Sequence, residues 1–98
     1  MQLSQYYVYI LSDRYRKVLY VGITANLRLR LDEHKRGAYE GFTKQYNLQC
    51  LLYYEVWDTA VKAITREKQL KKWHRKWKLD LIRETNPTFK DLSSGFSS

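Results

Sequence analysis

The sequence predicts an α+β fold, a small three-stranded antiparallel sheet flanked by helices in the chain order ββα followed by βαα. Residues 6–11 and 18–23 are rich in β-branched and aromatic side chains, and so is the segment 50–57. Apolar residues recur with helical spacing after the second and after the third of these segments. We therefore expect three strands and three helices.

The first two strands are expected to pair as an antiparallel hairpin across the polar segment 12–17. Side chains alternate between the two faces of a strand, so Tyr9 of the first strand and Tyr20 of the second can share one face of the sheet. If Asp13 and Arg16 close the turn, Tyr9 lies directly opposite Tyr20. The segment contains no Asn-Gly or Gly-Gly pair, so this register depends on the choice of turn.

The first helix is predicted over about residues 26–36. Asn26 is a suitable N-cap, because its side chain can accept a hydrogen bond from the first turn. The apolar face of this helix is predicted to consist of Leu27, Leu31 and His34. The segment 38–49 has no clean period and is expected to be a loop.

Two more helices are predicted after the third strand. Asp58 or Thr59 can cap a long helix that ends at about residue 72, and a further helix covers about 75–84. Pro87 ends regular structure, and the serine-rich segment 93–98 is expected to be a flexible tail. Ninety-eight residues, 44% of them hydrophobic, suffice for one domain, which we place at residues 1–92.

The chain is strongly basic, with 18 Lys and Arg against 10 Asp and Glu and a net charge of +8. This balance is typical of proteins that bind polyanions, and nucleic acid is the first candidate. An acidic membrane surface is the second, but no segment is an obvious basic amphipathic helix with a broad apolar face. Neither a membrane-spanning stretch nor a secretory signal is visible, so we expect a cytoplasmic protein without a membrane partner.

Glu67 interrupts the apolar face of the second helix. It lies four residues after Ala63 and three before Leu70, so its carboxylate is predicted to point toward the core. A buried carboxylate is unfavourable unless it is paired with a cation or bound to a metal. Periodicity leaves two interpretations open: an ion-paired residue at the edge of the apolar face, or a functional carboxylate.

Arg30 and His34 share one face of the first helix, because they are four residues apart. They form either a solvated basic edge or part of a functional site. The same choice applies to Tyr9 and Tyr20, since tyrosines on paired strands are more often core residues with satisfied hydroxyl groups than catalysts.

A basic stretch spans residues 66–78, where seven cations stand against one acid and alternate with Trp73 and Trp77. The cations can neutralise phosphates, and at least one Trp is expected to anchor the helices in the core. An ordinary solvated basic face is the alternative. The seven predicted nucleic-acid contacts are Arg66, Lys68, Lys71, Lys72, Arg75, Lys76 and Lys78.

Several motifs follow one another along the chain: Tyr7-Val8-Tyr9, Tyr20-Val21-Gly22, then Thr24, Leu27, Arg30 and His34, then Glu67 and Asn86. Over about residues 6–92 this order resembles the GIY-YIG nuclease family. The segment 67–73, followed by Asn86-Pro87 and Asp91-Leu92, is most similar to small stand-alone bacterial GIY-YIG proteins. These are related to the nuclease domain of the excision-repair endonuclease subunit. The departures are mild: Tyr7-Val8 replaces Gly-Ile, and Val21 replaces Ile.

The resemblance implies a phosphodiesterase that uses a single divalent ion, Mg²⁺ or Mn²⁺, with Glu67 as the only protein ligand. Water and a phosphate oxygen would fill the other positions, as is usual for Mg²⁺. It also implies that Tyr9 or Tyr20 is the general base, or orients the attacking water. A free tyrosine has a pKa near ~10, so a nearby cation is needed to ease its ionisation.

Three further site residues follow from the same resemblance. Arg30 would neutralise charge that develops on the phosphate and would favour the ionised tyrosine. His34 would hydrogen-bond a tyrosine or the phosphate. Asn86 would support the site rather than react.

The expected function is therefore a metal-dependent endonuclease in DNA repair or recombination, with DNA as the first candidate substrate and RNA as the second. The alternative is a nucleic-acid-binding module that keeps the fold without catalysis. Glu67 favours the enzyme, whereas Gln or Ala at that position would favour the binding module. A third possibility is that the chain acts only inside a larger repair or recombination assembly.

Overall fold

The computed structural model describes residues 5–36 and 46–96. In these parts of the chain, the strands are β1 (Tyr6–Ser12), β2 (Leu19–Thr24) and β3 (Cys50–Trp57). The helices are α1 (Leu27–Lys35), α2 (Ala60–Lys72) and α3 (Arg75–Thr85), followed by a short 3₁₀ helix, Leu92–Phe96. The sheet is antiparallel in the order β2-β1-β3. The α+β class is confirmed; of the predicted loop 38–49, residues up to 45 lie outside the described parts.

One face of the sheet packs against α1. Tyr9 and Leu11 of β1 point to this side and form a buried cluster with Leu27 and Leu31 of α1. The side chain of Asn26 accepts a hydrogen bond from the backbone N–H of Leu29 at 3.1 Å, so the predicted cap starts this helix. We call this side of the sheet the α1 face.

The opposite face packs against α2 and α3. Val8 and Ile10 of β1 point to it and form the second cluster with Ala63 and Leu70 of α2 and Ile82 of α3. α2 lies against both β1 and β2. We call this side of the sheet the α2 face.

The hairpin register differs from the predicted one by two residues. Tyr9 pairs with Gly22, and Tyr20 pairs with Leu11. Arg16 does donate its backbone N–H to the Asp13 carbonyl at 3.0 Å, but this turn does not end the loop.

The Asp13 carboxylate is the physical reason for this correction. Its Oδ1 accepts the backbone N–H groups of Lys17 at 2.7 Å and Val18 at 2.9 Å, so neither is available to the strand ladder. Pairing begins at Leu19, opposite Ser12. A shift of two residues keeps every side chain on its face, so Tyr9 and Tyr20 still share the α1 face.

The pairing of β1 with β3 contains a β-bulge. Ile10 pairs with Tyr53 and Leu11 with Leu51, which leaves Leu52 as the extra residue. Two side chains from beyond α3 bond to the backbone here: Asn86 Nδ2 donates to the Leu52 carbonyl at 3.1 Å, and Asp91 Oδ1 accepts the Leu51 N–H at 3.0 Å.

The predicted tail begins with ordered backbone. Where the sequence predicts no regular structure from residue 93, the 3₁₀ helix continues to Phe96, and Ser93 is buried. The reason is local, because Asp91 Oδ1 also accepts the Ser93 N–H at 2.9 Å and so ties this turn to β3. Residues 97 and 98 lie outside the described parts. Among the described helices, none has the length and apolar character that crossing a membrane requires.

Candidate active site

The Tyr9 side chain lies against the backbone of its partner strand. It is fully buried, and its ring crosses over Gly22 of β2. A Cβ atom at position 22 would stand 2.5 Å from the Tyr9 hydroxyl oxygen and 2.8 Å from Cε2. Only glycine leaves room for the ring, so Gly22 fixes where the Tyr9 hydroxyl can lie.

His34 of α1 brings the two predicted tyrosines together. Its Nε2 lies 3.4 Å from the Tyr9 hydroxyl oxygen, and this hydrogen bond is buried. The Tyr20 ring also approaches the imidazole, with ring centroids 6.2 Å apart in an edge-on arrangement. Tyr20 is partly exposed, whereas Tyr9 is not, so Tyr20 is the tyrosine that faces the surface.

The surroundings of His34 keep its imidazole neutral. Burial lowers the pKa of His34 below its ordinary value, and the nearby Arg30 charge lowers it further, against a weaker opposite effect from Glu33. A neutral imidazole has one acceptor nitrogen. His34 can therefore accept a hydrogen bond from the Tyr9 hydroxyl.

Arg30 lies one helical turn before His34. Its Nε is 3.7 Å from Glu33 Oε1, and both side chains are 31% exposed. The Arg30 side chain is thus partly exposed beside the buried His34, and an anion from solvent can reach it. The structure brings Tyr9, Tyr20, Arg30 and His34 to one place on the α1 face, as their order in the sequence predicts.

Glu67 comes from the other side of the sheet. It lies on α2 between the fully buried Ala63 and Leu70, and its side chain is only 14% exposed, which confirms its predicted direction. Its Oε2 is 3.2 Å from Lys71 Nζ. α2 packs against the edge strand β2, which also carries Tyr20. Glu67 therefore belongs to the opposite side of the sheet from the α1-face residues, on a helix that packs against the strand carrying Tyr20.

The described residues contain no group of three or more His, Cys, Asp and Glu side chains arranged to hold a metal ion. Glu67 offers a carboxylate, the kind of oxygen donor that Mg²⁺ binds while it keeps several of its own water molecules.

Asn86 is placed in the backbone framework of the fold. It is 2% exposed. Its Nδ2 donates to the carbonyls of Leu52 and Lys90, at 3.1 and 2.8 Å, and its Oδ1 accepts the Lys90 N–H at 3.1 Å. Both amide hydrogens are in use, so Asn86 links β3 to the chain that follows α3.

The seven cations of the basic stretch differ in their surroundings. Arg66 is ion-paired with Glu55 at 2.8 Å and is 21% exposed, so it is the least available of the set. Lys71 pairs with Glu67, Lys76 pairs with Asp80, and Arg75 donates to the Arg16 carbonyl. Within the described parts of the chain, the side chains of Lys68, Lys72 and Lys78 have no ion pair.

Two residues of the candidate site, Gly22 and Glu33, were not predicted as site residues from the sequence. Gly22 carries a signal, because a glycine inside a strand often marks a close backbone approach. Glu33 has no such signal in the sequence, because an acidic residue beside Arg30 on a charged helix is typical of any exposed surface.

Comparison with known proteins gives a consistent result. The family model of the GIY-YIG catalytic domain matches residues 5–80. A UPF0213 protein of Syntrophus aciditrophicus is 42% identical over 88 residues, which are 87% of this chain and 97% of the relative. A UPF0213 protein of Staphylococcus haemolyticus is 32% identical over 82 residues, or 84% and 99% of the two chains.

A solved structure agrees with the fold. The solution NMR structure of a UPF0213 protein from Bacillus halodurans matches with a TM-score of 0.57 and 22% identity. The match covers 89% of this chain and 92% of that protein. At this identity the likeness concerns the fold alone.

Proposed function

The chain belongs to the GIY-YIG domain family, a family of nuclease type, and to its UPF0213 proteins, and from this premise we propose that it is a metal-dependent endonuclease. It hydrolyses phosphodiester bonds of nucleic acid, with DNA as the first candidate substrate and RNA as the second. The observation that carries the proposal is the buried hydrogen bond between Tyr9 and a neutral His34, beside Tyr20 and Arg30.

Tyr20 is the general base of this proposal, or the group that orients the attacking water. It is the tyrosine with an exposed part, whereas Tyr9 has none. The His34 ring lies against the Tyr20 ring and accepts the Tyr9 hydrogen bond. In this proposal Tyr9 and His34 are therefore positioning residues.

Arg30 neutralises the charge that develops on the phosphate. Its side chain is partly exposed, and its partner Glu33 is only loosely engaged at 3.7 Å. A fixed cation of this kind stabilises the transition state without reorganising. An incoming phosphate competes with Glu33 for the same guanidinium.

Glu67 is the proposed ligand of one Mg²⁺ or Mn²⁺ ion, which when bound would polarise the phosphate and stabilise the leaving oxygen. Among the described residues, the Glu67 carboxylate forms an ion pair with Lys71, through Oε2 at 3.2 Å.

The test is cleavage of labelled single-stranded, duplex, flapped and branched DNA and RNA with Mg²⁺, Mn²⁺ or EDTA. We compare the wild type with Glu67→Gln and with Asp58→Asn, an exposed carboxylate at the start of α2. The proposal expects metal-dependent cutting by the wild type and by Asp58→Asn. It expects the rate of cutting to be about 100-fold lower, or lower still, in Glu67→Gln.

Equal cutting by wild type and Glu67→Gln would reject the metal site. Undiminished binding by all three proteins with no cutting would instead favour the binding-module alternative. The proposed setting is DNA repair or recombination, alone or within a larger assembly, and the preferred substrate of the panel tests this setting.

A further inference from the structure

An exposed aromatic cluster at the start of α3 has no part in the proposed hydrolysis. Trp77 is 49% exposed. The His74 ring lies beside it with centroids 4.2 Å apart and planes at 32°, and Trp73 packs edge-on at 5.9 Å and 88°. The two neighbours hold the Trp77 ring in one orientation, so a ligand that stacks on it meets a preorganised surface.

This cluster lines a shallow pocket of about 200 Å³. Trp73 and Trp77 form its aromatic part, and Asp80, Leu81 and Glu84 of α3 complete it. Trp77, Leu81 and Glu84 lie on one face of the helix, because they are separated by four and three residues. The pocket suits one planar ring system with a polar edge.

The charge around the pocket favours a nucleic acid strand as its occupant. Lys72 and Lys78 flank the two tryptophans in the sequence, and neither side chain has an ion pair within the described parts. Cations beside exposed aromatic rings are the usual arrangement for single strands, since phosphates bind the cations while bases stack on the rings.

The two acids of the pocket differ. Asp80 is neutralised by Lys76 and Arg83, each at 3.0 Å. Glu84 is exposed and makes no hydrogen bond or ion pair with another described residue. Its carboxylate can accept hydrogen bonds from the exocyclic amino group of a base, which thymine and uracil lack.

We propose that this pocket binds one unpaired nucleobase, stacked on Trp77, with the amino group of the base directed to Glu84. The inference rests on the proposed function and names its substrate class: a single-stranded or locally opened strand in preference to a continuous duplex, whose bases cannot reach the pocket while stacked and paired. It also predicts a base preference: cytosine or adenine should bind with higher affinity than thymine.

The test is binding without catalysis, by fluorescence anisotropy in EDTA at constant salt. The probes are labelled ten-nucleotide oligo-dC and oligo-dT, their RNA counterparts, and an abasic strand of equal length and charge. The proteins are the wild type, Trp77→Ala, Trp77→Phe, Glu84→Gln and, as an exposed aromatic control from the hairpin, Tyr15→Ala. Circular dichroism verifies that each variant is folded.

We expect Trp77→Ala to weaken oligo-dC binding about tenfold and to leave abasic binding unchanged, because one stacking contact is removed. Trp77→Phe keeps most of the affinity, Glu84→Gln reduces the preference for oligo-dC over oligo-dT about fivefold, and Tyr15→Ala changes nothing. Equal effects of Trp77→Ala on the abasic strand, or none on oligo-dC, would overturn the inference.

A second measurement separates this surface from an interface between copies of the chain. If sedimentation shows a dimer that Trp77→Ala dissociates while oligo-dC binding stays constant, the pocket is an interface and the inference is wrong. Because the assay contains no metal, failure of the nuclease proposal in the Glu67→Gln experiment leaves these results unaffected, and the converse also holds.

Discussion

Single residues on the α1 face are placed by close packing as much as by polar contacts. The Tyr9 ring has no freedom to move toward β2 unless position 22 lacks a Cβ atom. The hydroxyl then reaches His34 at 3.4 Å, a separation that a small displacement would break. Gly22, which has no side chain, thus helps to position the Tyr9 hydroxyl in the candidate site.

Gly22→Ala tests this dependence. The new methyl group overlaps the Tyr9 hydroxyl and ring, so we expect a loss of about 1–3 kcal/mol in the free energy of unfolding and loss of the Tyr9–His34 hydrogen bond. Thermal unfolding and the NMR signals of the His34 ring report these effects.

The matched control for that variant is Gly95→Ala. A Cβ atom there has no neighbour within 4 Å. Its stability is expected to remain close to that of the wild type. A Gly22→Ala protein as stable as Gly95→Ala would contradict the packing argument.

The lowered pKa of His34 has a consequence for stability in mild acid. Burial first, and then the Arg30 charge, keep the folded-state pKa below the unfolded value of about 6.5. The unfolded chain then binds the proton more strongly, so the free energy of unfolding decreases as pH falls from about 6.5 toward the folded-state pKa. Above pH 6.5 this loss is absent.

His34→Gln is expected to lack that pH dependence, since it cannot take up the proton. Denaturant unfolding at pH 7.5, 6.5 and 5.5 measures the difference, and the exposed His74 is common to both proteins and cancels. If the free energy of unfolding depends on pH in the same way in both proteins, His34 has the same pKa in the folded and the unfolded chain, and the argument is wrong.

At the scale of elements, α2 is held to the sheet by a network around Glu55 of β3. The carboxylate accepts hydrogen bonds from Tyr53 at 2.5 Å, from Trp57 at 2.9 Å and from Arg66 at 2.8 Å. The Arg66 guanidinium also lies over the Trp73 ring, 5.2 Å from its centroid. Because Arg66 precedes Glu67, this network sets the rotation of α2 and with it the direction of Glu67.

The β-bulge in β3 is closed by the chain that follows α3. Burial would raise the pKa of Asp91, but the N–H groups of Ser93 and Leu51 outweigh it, and the net pKa is lowered. The carboxylate is therefore ionised near neutral pH, and it accepts the hydrogen bonds from the Leu51 and Ser93 N–H groups at the bulge. Asn86 holds the neighbouring Leu52 carbonyl.

Asn86→Ala should destabilise the fold by about 2 kcal/mol or more, because it leaves buried backbone groups at the bulge without partners. Thermal unfolding measures the loss. At a temperature where the variant is folded, we expect its metal-dependent cleavage to be reduced far less than that of Glu67→Gln. A stable but inactive Asn86→Ala protein would instead place this amide in contact with substrate.

At the scale of the whole molecule, the net charge of +8 attracts nucleic acid in general. The cations of the basic stretch are not equally available to bind it. Arg66 and Lys71 are ion-paired within the fold. Lys68 and Lys72 lie four residues apart on the exposed side of α2, without ion pairs in the described parts. These two lysines are best placed to contact phosphates.

The double substitution Lys68→Gln/Lys72→Gln should weaken binding of every sequence alike. For a single strand, losing two phosphate contacts reduces the slope of log affinity against log salt by about 1.4. Anisotropy titrations between low and moderate salt measure this slope. Lys17→Gln/Lys90→Gln removes the same charge from loops and serves as control; an equal change in its slope would show that only net charge matters.

The sequence predicted the strands, the helices and the faces on which the candidate site residues lie, because each depends on local spacing. Alternation placed Tyr9 and Tyr20 on one face, and helical spacing placed Arg30 beside His34 and directed Glu67 inward. These relations hold within one strand or one helix turn, so no knowledge of distant contacts was needed.

The sequence by itself therefore determined the fold class, the element order and which side chains share a face. Only the tertiary structure decided the hairpin register, the bulge that Asn86 and Asp91 stabilise, the exposure of Trp77 and the approach of Glu67 from the α2 face. The register depends on the Asp13 side chain, which accepts two backbone N–H groups of its own turn. The other three depend on contacts between residues of different elements. Such contacts leave no periodic signal, because their partners are selected by packing and by the need to satisfy backbone hydrogen bonds in three dimensions.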